Sequence, residues 1–128
     1  MVKKHVKSFK NAFDGIVWVL RTESNYRVHI TLSMIALLLG YLLHISYFEF
    51  LVILILIFLG LAIEMLNTAF EEATDAIDKQ WREDIKIVKD VAAGAMLIFA
   101  VGALLIAGVI FIPKLLFYIQ MDLGAISR

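Results

Sequence analysis

Polar side chains recur at helical spacing near the middle of the chain, directly after a long apolar run. They are Glu64, Asn67, Glu71 and Asp75, and Asp78 is expected to continue the series. Successive members are three or four residues apart, so at about 100° per residue they lie in one narrow stripe of a helix. Carboxylates and an amide in such a stripe can accept a proton, hold a divalent cation or orient a phosphate. This stripe is the first candidate for a chemical site.

Glu64 is the most informative member of the stripe because it lies inside the apolar run. A carboxylate at that depth costs roughly 2–4 kcal/mol on insertion scales, and it normally faces protein or water. Such a group is suited to accept a proton from a hydroxyl group. The alternative is a structural role, in which a hydrogen-bonded Glu64 only supports helix association.

Two carboxylates, Glu23 and Glu71, are candidates for holding a cation. Like charges do not pack together without a cation between them, and hard oxygen ligands at an aqueous boundary suit Mg²⁺ bound to phosphate oxygens. The alternative is two solvated carboxylates that never meet. Lys89, which precedes Asp90 at the start of the last apolar run, is either a membrane-boundary anchor or a point charge for a polyphosphate.

Composition assigns the chain to the membrane. Of its 128 residues, 62% are hydrophobic and only 19% are charged, and its mean hydropathy is +0.88. A soluble domain of this size needs more polar surface, so part of the apolar surface must face lipid. The absence of cysteine excludes disulfides and thiolate chemistry, and the zero net charge gives no argument for nucleic acid.

Hydropathy predicts a single all-α integral membrane domain over residues 1–128. An N-terminal amphipathic surface helix is predicted at 5–21, transmembrane spans at 26–46, 48–70 and 91–112, and a cytoplasmic segment at 71–90. Each span is near the ~20 residues that a bilayer core requires. Pro113 is expected to end the third span because proline cannot continue the hydrogen-bond ladder. Residues 115–128 receive no assignment.

The predicted surface helix carries a narrow apolar stripe flanked by lysines. The stripe consists of Val6, Phe9, Phe13, Ile16, Val17 and Leu20. Basic residues beside such a stripe are typical of a helix in the lipid headgroup region, although an ordinary amphipathic helix packed on protein has the same pattern. Lys and Arg cluster before the first span and between the second and third, which places the N-terminus and segment 71–90 in the cytoplasm and the C-terminus outside.

Several residues carry no specific chemical signal. The third span is rich in small residues, including Gly94, Gly102 and Gly108, which lets membrane helices approach closely and hints at oligomerisation. The three histidines, His5, His29 and His44, show no metal-ligand spacing and are left unassigned. Neither a G-x-x-x-x-G-K-[ST] loop nor a protein-kinase glycine loop is present in the sequence.

Three segments resemble signatures of the prokaryotic diacylglycerol kinase family. Residues 64–75 follow its pattern E-x-[hydrophobic]-N-[ST]-[AS]-[hydrophobic]-E-x-x-x-D. Residues 89–95 are similar to the second motif of the family, and residues 23–27 are similar to its segment before the first span. The spacing between the segments fits without gaps, and the resemblance runs from about Ser8 to Pro113.

The resemblance implies a homotrimeric bacterial plasma-membrane enzyme with a surface helix and three spans per protomer. Such enzymes transfer the γ-phosphoryl group of ATP to a lipid hydroxyl at sites shared between protomers. By position, Glu64 would be the general base, and Glu23 and Glu71 would bind Mg²⁺ that bridges the ATP phosphates. The remaining implied site residues are Asn11, Asn67, Lys89 and Asp90 for the nucleotide, Asp75 as support, and Arg27 near the lipid.

The branch of the family bears on the substrate. Arg27-Val-His29 and the Ala-Ala-Gly-Ala of 92–95 look more like the Gram-positive branch, whose members often phosphorylate undecaprenol, whereas the enterobacterial branch prefers diacylglycerol. We therefore expect one of these two lipid alcohols and a role in phospholipid or cell-envelope lipid recycling. Two segments depart from the pattern: Asn11 stands where many members carry tyrosine, and residues 79–86 match poorly, which leaves the adenine contacts unassigned.

Two other classes of function compete with a lipid kinase. In a small oligomeric transporter, Glu64 would carry protons or cations through the helix bundle. A non-enzymatic scaffold would use only the small-residue face of the third span. A transporter requires acids near the bilayer midplane, whereas these acids cluster toward the cytoplasmic end, and a scaffold requires no acidic stripe.

Overall fold

The computed structural model describes residues 2–126, and it describes side chains within residues 3–121. The described chain is helical with short connections. Its elements are α1 (Val2–Thr22), α2 (Ser24–Leu42), α3 (Tyr47–Ile77) and α4 (Glu83–Ile126). This order matches the predicted surface helix followed by three apolar helices, with α1 in the place of the surface helix.

A sharp corner joins α1 to α2. Glu23 alone separates the two helices, and its backbone is extended, with φ −92° and ψ 117°. The Arg27 guanidinium Nη1 donates hydrogen bonds to the carbonyl oxygens of Leu20 at 3.2 Å and Arg21 at 3.0 Å. These carbonyls lie in the last turn of α1 and have no partner within their own helix. Arg27 therefore fixes the corner at which Glu23 lies.

The turn between α2 and α3 is fixed by local hydrogen bonds. His44 has a positive φ of 48°, a conformation that few side chains adopt. Ser46 then caps α3, because its hydroxyl accepts from the Glu49 backbone N–H at 3.3 Å while its own N–H donates to Glu49 Oε2 at 2.6 Å. This reciprocal capping box defines the start of α3.

α3 lies between α2 and α4 and packs against both. The buried core of the bundle is formed by Ile53, Ile110 and Phe111, which join the first half of α3 to the second half of α4. Closer to the middle of α3, a β-carbon placed at Gly60 would lie only 2.6 Å from Cε1 of Phe99. The absence of a side chain at Gly60 therefore lets the two helices approach.

The end predicted for the third apolar segment is wrong as a helix boundary. α4 continues through Pro113 and reaches Ile126. A proline removes one backbone hydrogen bond without excluding a helix, and membrane helices tolerate this loss. The next residue, Lys114, forms an ion pair with Glu49 at 3.1 Å, and this contact holds the continuing helix against the first turn of α3.

The predicted cytoplasmic segment 71–90 is divided among three elements. α3 continues to Ile77 and α4 begins at Glu83, so only residues 78–82 are non-helical. The expectation that Asp78 extends the polar stripe is wrong, because its backbone is extended with φ −157°. Its carboxylate instead accepts a hydrogen bond from the Gln80 backbone N–H at 2.9 Å.

Within the described residues, two helices are long and apolar enough to cross a membrane, namely Tyr47–Ile77 and Glu83–Met121. In the most apolar stretch of each helix, only 17% of the residues are buried within the chain. The surfaces of both helices therefore require lipid or other protein to cover them. α2 is not among them because its first half carries Arg27, His29 and several other polar residues. The predicted first span at 26–46 therefore stays a prediction.

Candidate functional site

The predicted polar stripe is present on α3, which is helical throughout residues 64–75. Glu64 is only 3% exposed and Asn67 8% exposed, whereas Glu71 and Asp75 are half-buried. The stripe therefore begins within the helix packing and becomes more accessible toward the end of α3. This gradient is suited to a site where an apolar substrate meets an aqueous one.

A titratable side chain of α2 faces Glu64. His29 Nε2 lies 3.9 Å from Glu64 Oε2, and both side chains are largely enclosed. This separation is too long for a direct hydrogen bond. The two groups therefore face one another across a gap at the junction of α2 and α3.

Asn67 contacts Glu71, the next carboxylate of the stripe. Its amide Nδ2 donates to Glu71 Oε1 at 3.0 Å, which orients the Glu71 carboxylate. The other amide atom, Oδ1, is buried and accepts no hydrogen bond from the described residues. Because an unsatisfied buried acceptor is costly, it marks a position where a donor such as a metal-bound water is favoured.

The three glutamates expected at the site lie in one region of the structure. Both Glu71 and Glu23 are close enough to Glu64 for their charges to act on it. Glu23 reaches this position because the corner between α1 and α2 lies beside α3. Among the described residues, no group of three or more acidic or histidine side chains has metal-ligand geometry. Two carboxylates that share Mg²⁺ with phosphate and water do not require such a group.

Lys89 and Asp75 form an ion pair that connects α4 to the polar stripe of α3. Both side chains stay partly accessible, so the ammonium group remains available to a phosphate. Asp90, the neighbour of Lys89, is paired with Lys86 one turn earlier on α4. The structure thus brings Lys89 to the stripe, whereas it pairs Asp90 on the exposed side of α4.

Two implied contacts are not joined to the glutamate cluster in the described structure. Asn11 is exposed on α1, and it takes part in no described side-chain hydrogen bond. Arg27 uses its guanidinium at the end of α1, where it supports the position of Glu23 rather than that of Glu64. The nucleotide role of Asn11 and the lipid role of Arg27 remain predictions.

The connection between α3 and α4 carries its own charge pair. Arg82 Nη2 donates to Asp84 Oδ2 at 2.6 Å. Hydrogen bonding from Arg82 lowers the pKa of Asp84, and the Ile85 backbone N–H acts in the same direction. An ionised Asp84 in the first turn of α4 is also favoured by the helix dipole. The pair is exposed and has no described contact with the glutamates.

His29 is the site residue that sequence reasoning missed. Metal-ligand spacing was the wrong criterion, because its partner Glu64 lies on another helix. An available signal was its position: a titratable residue within a predicted membrane span is functional by default. His29 follows Glu23 by six residues, which puts it less than two helical turns from the corner and close to the level of Glu64.

Comparisons with known proteins agree with these features. The prokaryotic diacylglycerol kinase family matches residues 10–111. The chain is 38% identical over 114 residues to an undecaprenol kinase of Bacillus subtilis, covering 89% of this chain and 93% of that relative. It is 33% identical over 110 residues to a diacylglycerol kinase of Synechocystis, covering 85% of this chain and 63% of that relative. The chain therefore belongs to the prokaryotic diacylglycerol kinase family.

Proposed function

We propose that this membrane lipid kinase transfers the γ-phosphoryl group of ATP to the hydroxyl group of a membrane-embedded lipid alcohol, with Glu64 as the general base. The observation that carries the proposal is the buried Glu64 carboxylate at the apolar end of the polar stripe of α3, within electrostatic range of Glu71 and Glu23. Lipid hydroxyl groups reach only the membrane interface, and the stripe leads from the apolar part of α3 to its more accessible end.

The depth of Glu64 supports a reaction at the interface. It lies six residues before the end of the predicted span 48–70, which is about 9 Å along a helix. A hydroxyl at that level can donate its proton to the carboxylate while its oxygen attacks the γ-phosphorus. A transporter site would be expected nearer the midplane, and the kinase names of both relatives give that alternative no support.

The carboxylates of Glu23 and Glu71 fit a divalent cation. They approach the same region from the α1–α2 corner and from α3, and Asn67 holds Glu71 while leaving Oδ1 free to accept a hydrogen bond. Bound Mg²⁺ would neutralise phosphate oxygens during transfer, which requires mainly positioning and charge compensation. Lys89, held by Asp75 at the edge of the stripe, would contact the phosphates as a point charge.

We further propose the membrane arrangement that the family resemblance implies, with α1 on the cytoplasmic surface, three spans and a homotrimer with shared sites. The exposed apolar stripe of α1 supports its surface position, because Phe9 is 79% exposed and Phe13 65% exposed within the chain. Exposed apolar surfaces along α3 and α4 support coverage by lipid and neighbouring protomers. The location is the bacterial plasma membrane, with the N-terminus in the cytoplasm.

Undecaprenol is our first choice of substrate and diacylglycerol our second. The match to the Bacillus undecaprenol kinase has the higher identity of the two and covers 93% of that relative, against 63% of the Synechocystis diacylglycerol kinase. Arg27-Val-His29 and residues 92–95 point toward the same branch.

A direct test incubates the purified protein with Mg-ATP and, in separate reactions, undecaprenol, diacylglycerol or a short-chain alcohol. We expect phosphorylation of undecaprenol at the highest kcat/KM and slow or absent reaction of the short-chain alcohol, which does not partition into the membrane. Faster phosphorylation of diacylglycerol would make it the preferred substrate, with undecaprenol second. No phosphorylated product from any of the three would contradict the proposed reaction.

A further inference from the structure

His29 faces the candidate base from the opposite helix, and the reaction as proposed above gives it no role. Its Nε2 and Glu64 Oε2 are 3.9 Å apart. An oxygen atom placed about 2.8 Å from each would make a normal hydrogen bond to both. Such an oxygen would lie beside the line that joins the two atoms, so one hydroxyl group could contact both side chains from that side.

His29 lies both at this gap and in the lining of a neighbouring cavity, where it is the one described lining side chain with a nitrogen donor. His29 and Ser33 are the polar residues lining an otherwise apolar cavity of about 380 Å³ between α2, α3 and α4. The Ser33 hydroxyl donates to the His29 backbone carbonyl at 2.7 Å, so it is already engaged. A hydroxyl group buried without a donor for its lone pairs loses hydrogen bonding that it had in water.

We propose that His29 is the second polar contact of the acceptor hydroxyl, donating from Nε2 to the oxygen whose proton Glu64 accepts. This inference rests on the proposed function. The hydroxyl oxygen forms a bond to the γ-phosphorus, the bond from that phosphorus to the β-phosphate oxygen breaks, and ADP leaves. The hydroxyl proton goes to Glu64. His29 keeps its own proton, and its hydrogen bond to one lone pair orients the hydroxyl oxygen.

The test compares two amide substitutions of different reach. The side-chain amide nitrogen of His29→Gln extends about as far from the backbone as Nε2, whereas that of His29→Asn extends only as far as Nδ1. We expect kcat/KM for the lipid to fall by about tenfold or less in H29Q and by about 100-fold in H29N and H29L, since loss of one positioned donor costs about that much. The KM for Mg-ATP should change by about twofold or less in all three.

A control substitution makes the same chemical change elsewhere. His5→Gln alters an exposed histidine of α1, and we expect its lipid and nucleotide kinetics to match those of the unmodified protein. Equal activity of H29Q and H29N, or normal lipid kinetics in H29L, would overturn the role of His29. Parallel loss of Mg-ATP binding and lipid turnover in all three variants would also overturn it, because His29 would then act only on the fold.

The same series separates this inference from the proposed function. If the unmodified protein phosphorylates a lipid alcohol and Glu64→Gln abolishes the reaction, the proposed function stands whatever the His29 variants do. If the unmodified protein phosphorylates no lipid alcohol, the proposed function fails, and the His29 contact fails with it.

Discussion

At the scale of single residues, the carboxylates around Glu64 lower the stability of the folded chain. This cost in folding free energy indicates a functional role for the cluster. A carboxylate 3% exposed, with two further glutamates within electrostatic range, destabilises a folded chain unless cations or bound groups offset the charge. Within the described residues Glu64 faces His29 across a gap, and the Asn67 amide donates to the neighbouring Glu71. The proposed Mg²⁺ and substrate would offset this cost when they bind.

The first prediction at this scale concerns proton transfer. Glu64→Gln keeps the shape of the side chain and removes the base, so we expect lipid phosphorylation to fall by at least about 100-fold, with unchanged helix content and assembly. The measurement is the initial rate with saturating lipid and Mg-ATP. Glu72→Gln, the same change at an exposed neighbouring carboxylate, is the control. Near-normal turnover in E64Q would remove Glu64 from the role of base.

The second residue-scale prediction concerns the cation. Glu71→Gln retains an acceptor for the Asn67 amide but removes a charged metal ligand, so the Mg²⁺ concentration for half-maximal nucleotide binding should rise by about tenfold or more. Titrating Mg²⁺ at fixed ATP measures this shift. An unchanged titration curve would count against Glu71 as a metal ligand, provided that E72Q also leaves the curve unchanged.

At the scale of elements, α3 determines the site because it is continuous from the capping box at Ser46 to Ile77. At 1.5 Å per residue its 31 residues span about 46 Å, longer than the ~30 Å bilayer core. The helix can therefore carry Glu64 within the apolar region and Asp75 beyond it. The Lys89–Asp75 ion pair attaches α4 to this protruding end.

Close packing of α3 on α4 gives the prediction at this scale. Gly60→Val would place a branched side chain against Phe99, where even a β-carbon has only 2.6 Å. We expect a loss of about 1–3 kcal/mol in the free energy of unfolding, measured by denaturation in detergent micelles, and partial recovery in the double variant Gly60→Val/Phe99→Leu.

Gly102→Val supplies the matched control for this packing effect. A β-carbon at Gly102 has no neighbour within 4 Å, so the same substitution changes helix propensity without a clash inside the chain. Equal destabilisation by G60V and G102V would contradict the idea that Gly60 permits the contact between α3 and α4.

At the scale of the whole molecule, the chain leaves most of its apolar surface uncovered. In the most apolar stretch of α3 and in that of α4, only 17% of the residues are buried within the chain. The apolar stripe of α1 is exposed as well. The hydrophobic effect requires these surfaces to leave water. Lipid around the bundle and contacts between protomers would both satisfy that requirement.

The proposed orientation gives the whole-molecule prediction. Since the chain has no cysteine, single cysteines introduced as Lys79→Cys and Tyr47→Cys are the only thiols of each variant chain, and labelling is read on the purified protein. Residue 79 lies in the connection between α3 and α4, and residue 47 begins α3. A membrane-impermeant thiol reagent applied outside intact cells should label Y47C and leave K79C unreacted until the membrane is opened. The reverse pattern would invert the topology.

Hydropathy and local periodicity together were sufficient to predict the helical elements and the acidic stripe. A 3.6-residue repeat fixes which side chains share a helix face, so residues 64, 67, 71 and 75 could be grouped from sequence alone. The same local reasoning was wrong at Pro113 and at Asp78. At Pro113 the Lys114–Glu49 ion pair holds the continuing helix, and at Asp78 the backbone leaves the helix.

The sequence by itself determined an all-helical, strongly apolar chain with a polar stripe on its third helix, because these properties depend on residue type and on spacing within one element. The family resemblance had already implied Glu23 and Lys89 as site residues. Only the tertiary structure decided how they meet the stripe, from the α1–α2 corner and from α4, and that His29 faces it from α2. These contacts join residues far apart in the chain. Their positions depend on how the helices turn and pack, which no local pattern specifies.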